Sequence, residues 1–248
     1  MMKRFLAALR FLTILPVPSD WGTREEDLAR SVPFFVLIGL LAGAAAGAIA
    51  WGLAQFLPQL LAAVLVALFL VSVSGGLHLD GLSDTADAFF SSKSRERMLE
   101  IMKDSRAGPM GVAAIVFVLA LKIAALASIP TSSFWRAAFL MPVAGRCALP
   151  LVMALLPYVR SEGGLGSVFT EGHPRINGAF AVAVLFLTGW LLAGMPGLYA
   201  GATSVLVTVL FAFHCHRKIC GATGDTYGAA CEIAEIVPAL VLSACHGV

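Results

Sequence analysis

Over most of the chain, hydrophobic residues run unbroken for the length of a membrane crossing, and polar residues collect in short gaps between the runs. Apolar stretches fall at about 32–56, 60–77, 109–129, 134–157, 178–195, 198–214 and 227–246. A helix of about 20 apolar residues crosses the hydrocarbon core of a bilayer. The pattern therefore predicts an all-α, polytopic membrane helix bundle with about seven transmembrane helices. Only Met195-Pro196-Gly197 separates the fifth run from the sixth. Near the start, Phe5, Leu9 and Leu12 recur at helical spacing behind Lys3-Arg4, predicting an N-terminal interfacial helix within 1–18. Arg10 interrupts this run, and Pro16-Val17-Pro18 stands where a cleavage site would need small residues, so an uncleaved helix is expected rather than a signal peptide. With no internal repeat or soluble segment, residues 1–248 read as one integral-membrane domain.

Composition and charge add an orientation. The chain is 59% hydrophobic and 13% charged, with a mean hydropathy of +0.88, far from the roughly 25% charged content of soluble domains. A net charge of +2, carried by scattered basic residues without an aromatic-basic stripe, argues against a nucleic-acid partner. With the N-terminus cytoplasmic, 14 of the 17 basic residues fall on inner segments, and the other three, Lys122, Arg136 and Arg146, lie within apolar runs or at their outer ends. That asymmetry follows the positive-inside rule. It brings the polar loops 78–108, 158–177 and 214–226 to one cytoplasmic face. Five cysteines at irregular positions form no disulfide framework and are expected to stay reduced.

The candidate chemistry lies in those loops. In His78-Leu79-Asp80-Gly81-Leu82-Ser83-Asp84-Thr85-Ala86-Asp87, a helix would put Asp80, Asp84 and Asp87 within roughly a 60° arc. Three carboxylates so close repel one another, and a hard cation such as Mg²⁺ would relieve that repulsion. His78 would point away from the aspartate face, where it packs or contacts substrate. Lys103, Asp104, Ser105 and Arg106 offer cations, a carboxylate and a hydroxyl suited to phosphate, or else a charged loop that fixes topology. Thr223, Gly224 and Asp225 precede the last span, which carries Glu232 and Glu235. Such intramembrane carboxylates line a cavity or pair with a cation, and Arg146 is the partner expected for Glu232. The run His214-Cys215-His216-Arg217-Lys218-Ile219-Cys220 has neither the spacing nor the charge environment of a zinc site.

The segment Gly75 to Asp87, then Met102-Lys103-Asp104-Ser105-Arg106, then Thr223-Gly224-Asp225, together with the opening Phe5 to Pro18, resembles the adenosylcobinamide-GDP ribazoletransferase (cobalamin synthase) family along the whole chain. Ser83, Ala88 and Pro109-Met110 depart from the family pattern, and none of these departures removes a carboxylate. The resemblance implies a Mg²⁺-dependent transferase of the bacterial inner membrane. It would join adenosylcobinamide-GDP to α-ribazole or its 5′-phosphate and release GMP. The resemblance assigns Asp80, Asp84 and Asp87 to the metal and Asp104 or Asp225 to proton acceptance. Substrate contacts would come from His78, Lys103, Ser105, Arg106, Arg146, Thr223, Gly224 and Glu232. Partners implied are the two substrates, the lipid bilayer, and a homo-oligomer or an assembly with neighbouring pathway enzymes. The alternatives are an ion-coupled transporter and an enzyme like the CDP-alcohol phosphotransferases, whose later aspartate motif is missing here.

Overall fold

The computed structural model describes residues 1–18, 21–104, 106–160, 166–170 and 173–246. They form an all-helical bundle: α1 (Met2–Leu12), α2 (Glu25–Ala29), α3 (Pro33–Leu53), α4 (Gln59–Val73), α5 (Leu77–Phe89), α6 (Arg95–Ile101), α7 (Pro109–Ala127), α8 (Thr131–Leu155), α9 (Pro174–Ile219) and α10 (Gly224–His246), with a 3₁₀ turn at Ser167–Thr170. Among the described residues, five helices are long and apolar enough to cross a membrane, or six if the bent pair α4–α5 counts as one span. The chain is thus a multi-pass membrane protein. Helix α9, 46 residues long, contains a non-helical Gly194. A Cβ on Gly189 would stand 2.5 Å from the carbonyl oxygen of Gly197, so the two arms fold back against each other. Counted separately, those arms raise the number of crossings to seven.

Helix α8 is the axis of the bundle, packed between α3, α9 and α10, and Phe134, Leu140, Met141 and Val143 along it are fully buried. Glycines bring α3 against it. Gly39, Gly43 and Gly47 recur every fourth residue, and Cβ atoms there would press on Arg146, Phe139 and Trp135 of α8. Small residues at this spacing let membrane helices approach closely, a signal in the sequence that the hydropathy pattern alone does not use. The exposed residues include Leu60 and Leu68 of α4, Phe117 of α7, and Trp190, Leu191 and Phe213 of α9. These outward apolar faces fit a lipid environment.

Helix α1 ends at Leu12, short of the expected boundary at 18, because Thr13 turns extended and Ile14 donates its amide to the Val73 carbonyl. The Arg10 guanidinium then holds the Pro18 carbonyl at 2.8 Å. Ala7, Ala8 and Leu12 are buried against the bundle, so this helix is part of the core as well as of its edge.

Candidate active site

Helix α5 meets α4 at an 88° corner. Gly75 and Gly76, at φ +60° and +76°, make that corner, a backbone conformation that disfavours residues with a Cβ. The helix then carries His78, Asp80, Asp84 and Asp87 in one continuous stretch. Asp80 is exposed, Asp84 is half-buried, and Asp84 feels the charges of Asp80, Asp225 and Asp87. Among the described residues, neither the Asp80 nor the Asp84 carboxylate has a hydrogen-bond or ion-pair partner.

Asp225 comes from the first turn of α10. Two threonines set that turn: the Thr226 amide donates to the Thr223 hydroxyl, and the Thr223 amide donates back to the Thr226 hydroxyl at 2.8 Å. This reciprocal cap satisfies amides that a helix start leaves unpaired. Gly81 and Gly228 bring α5 and α10 together. A Cβ on Gly81 would lie 2.7 Å from the Asp225 carbonyl oxygen, and one on Gly228 would lie 3.2 Å from that of His78. Across from α10, Arg160 donates to Asp225 at 2.6 Å and to the Met102 carbonyl at 3.3 Å. The Thr223 hydroxyl donates to the same Asp225 carboxylate at 3.2 Å. Residues 157–160 are tied to the turn before α10 by amides of Val159 and Ala222 that donate to Ala222 and Pro157 carbonyls.

These elements enclose a cavity of about 220 Å³. His78, Asp80, Tyr158, Arg160 and Asp225 form its polar part, and Phe11, Phe35, Leu149, Met153, Phe169 and Tyr227 line the rest. Arg160, read from the sequence only as a topology charge, is the cation beside the acidic group. Its position directly after an apolar run, in a loop facing the aspartates, was the available signal. Phe11, Phe35 and Phe169 come from three separated segments, and no local spacing joins them.

Other expected site residues lie elsewhere. Asp87 accepts from the Gly108 amide at 2.7 Å and the Gly111 amide at 2.9 Å, so its carboxylate caps the start of α7. Negative charge is favoured at a helix N-terminus. Asp104 forms a two-pronged pair with Arg106, at 3.0 and 2.8 Å. The Arg106 guanidinium holds the Asp104 carboxyl down to about 2, and the pair borders a recess with Asp87 and Arg97 rather than the main cavity. Lys103 is exposed in the same loop. Ser105 lies outside the described residues. Thr223 and Gly224 sit at the start of α10, Gly224 lining the cavity and Thr223 supporting Asp225.

Arg146 and Glu232 do not line the cavity. Both are buried in a network in which Lys122 reaches Glu232 at 2.6 Å and Glu235 at 2.7 Å, while Arg146 bonds Glu235. The expected pairing of Arg146 with Glu232 is thus corrected. Lys122, from the middle of α7, takes Glu232, and Arg146 takes the carboxylate one turn further along α10. The set is neutral, two cations to two anions, which is how such charges survive inside a membrane protein.

Among the described residues, no three His, Cys, Asp or Glu side chains form a ready metal cage. Mg²⁺ rarely uses one. It keeps waters and binds through one or two carboxylates together with substrate phosphates. Asp80 and Asp84, unpaired and one turn apart beside the cavity mouth, fit that mode.

A multi-pass helical bundle that sets a free carboxylate, Asp80, and an arginine–aspartate pair in a largely apolar cavity has the makings of a membrane enzyme. The chain belongs to the family whose model is described as Cobalamin-5-phosphate synthase, which matches residues 4–243. An adenosylcobinamide-GDP ribazoletransferase of Geotalea daltonii is 38% identical over 247 residues, covering 100% of this chain and 99% of its own. Proteins of the same name from Pseudomonas fluorescens and Clostridium novyi are 42% identical over 94% of this chain and 36% identical over 99% of it, covering 96% and 98% of their own lengths. No solved structure matches the chain. The transporter and CDP-alcohol phosphotransferase readings give way to this family.

Proposed function

We propose that the chain joins adenosylcobinamide-GDP to α-ribazole or its 5′-phosphate and releases GMP, on the cytoplasmic face of the inner membrane and with Mg²⁺. The observation that carries this reading is the meeting of Asp80 of α5 with Asp225 and Arg160 at one cavity, with Asp84 one turn further along α5 and within the field of all three. The acceptor hydroxyl attacks the phosphorus attached to cobinamide, and the bond from that phosphorus to the GMP oxygen breaks. Asp225, which lines the cavity, is the carboxylate within reach to take the hydroxyl proton. Asp104 borders a separate recess rather than this cavity, so it is not placed to take that proton. Arg160 keeps Asp225 in place and offers positive charge to the diphosphate. Bound by Asp80 and Asp84, Mg²⁺ would supply Lewis-acid stabilisation of the charge that develops on departing GMP. Lys103 and Arg106 of the adjacent loop add positive potential along the approach of the anionic donor.

The test is GMP release by the protein in liposomes, given both substrates, with Mg²⁺ or a chelator. Release that needs both substrates and the metal, and falls by about 10² or more in Asp84→Asn, is the expected result. Release unaffected by Asp84→Asn would move the metal off α5. No release from folded wild-type protein would overturn the transferase reading.

A further inference from the structure

The cavity is divided chemically. Beyond the polar mouth, Phe11, Phe35 and Phe169 pack on one another, with ring centroids 5.9 Å apart for Phe11 and Phe35, 5.0 Å for Phe11 and Phe169, and 5.3 Å for Phe35 and Phe169. Leu149 and Met153 of α8 complete that wall. Two lining residues carry buried polar atoms with no hydrogen-bond partner, Nε2 of His78 and Nε of Arg160. His78 is only 3% exposed. An unpaired buried polar atom costs free energy unless a ligand satisfies it.

We infer that this aromatic end is the seat of the acceptor's base: α-ribazole enters base first, its flat ring against Phe35 and Phe169, a ring nitrogen on His78 Nε2, and its ribose, which carries the attacking hydroxyl, toward Arg160 and Asp225. The inference rests on the transferase reading above and adds to it the residues that select the acceptor. Size supports it, because a space of about 220 Å³ accommodates a nucleoside's base and not a corrinoid. Polarity separates the two flat bases in the reaction. Guanine would carry a carbonyl, a ring N–H and an amino group against the side chains of Phe11, Phe35, Phe169, Leu149 and Met153, none of which can bond to them, a costly burial. A base whose one free polar atom is a ring nitrogen needs a single partner, and His78 supplies it. Helix α1, which contributes Phe11, is thereby part of the acceptor site.

Equilibrium dialysis of α-ribazole 5′-phosphate with detergent-solubilised protein, read without turnover, tests this directly. Wild type should bind it, ribose 5-phosphate should bind far more weakly, and GMP should not displace it. Phe169→Leu, which keeps an apolar residue in the wall, should weaken binding about three- to tenfold through lost stacking while leaving adenosylcobinamide-GDP binding unchanged. His78→Gln, with a donor of similar reach, should retain more affinity than His78→Leu. Displacement by GMP, or a Phe169→Leu defect confined to adenosylcobinamide-GDP, would overturn the inference by giving the cavity to the donor. Equal binding of ribose 5-phosphate would overturn it by removing the base from the wall. Intact acceptor binding without GMP release would instead count against the transferase reading alone.

Discussion

Asp104→Asn should differ sharply from Asp84→Asn, though the sequence presents both aspartates as candidates. Asp104 is already committed to an exposed arginine, and removing its charge should leave most of the GMP-release activity. The pH dependence follows the same geometry. Pairing lowers this carboxyl in the folded protein, so its contribution is complete above the ordinary carboxylate range and is lost only as pH falls toward about 2. With the arginine side chain 87% exposed, that contribution is slight. The profile of kcat/KM against pH near neutrality should therefore be the same for wild type and Asp104→Asn. At this scale the sequence was informative where one helix decided the outcome. Asp80 and Asp84 share a face because they are four residues apart. Asp87, three residues further, answers instead to two amides of another helix, a contact that spacing within α5 does not encode. The pairing of Arg160 was illegible for the same reason: its partner is 65 positions away.

Between elements, α5 and α10 approach closely in the site, and that approach depends on Gly81. A methyl group there meets the Asp225 backbone carbonyl rather than a movable side chain, so the helices themselves must separate. Gly81→Ala should cost about 1–3 kcal/mol from overpacking, read as a lower melting temperature. It should also depress GMP release more than that loss explains, because Asp225 moves away from Asp80. The apolar runs were legible as helices since length and hydropathy determine them. The turn Met195-Pro196-Gly197 marks the reversal within α9 to within a residue or two of Gly194. The 88° corner before α5 was not visible, since a glycine pair permits such a bend without requiring it.

For the whole molecule, the buried charge network and the membrane orientation make separate predictions. Lys122→Met would leave Glu232 without its cation and Glu235 with only Arg146, and should destabilise the bundle by about 3–5 kcal/mol. Adding Glu232→Gln restores neutrality and should recover part of the loss, as a thermal-melting double-mutant cycle would reveal. From the sequence only Arg146 stood out as a cation for these carboxylates; that Lys122 reaches both glutamates depends on how α7 and α10 face each other. For orientation, Cys220 and Cys245 are both exposed and bracket α10, whose 23 residues span about 34 Å. A membrane-impermeant thiol reagent should label Cys220 from the cytoplasmic side and Cys245 only from the other. Labelling of both from one side would remove α10 as a crossing.

The contact between Gly81 and α10 also has a temporal side. The aspartates of α5 leave the ribosome long before Asp225 exists. At roughly 5–20 residues per second, the nascent chain holds its acidic helix without its facing helix for about seven to thirty seconds. Every fragment released before α10 is made therefore lacks Asp225, and the last helix to be synthesised is the one that completes the acidic group.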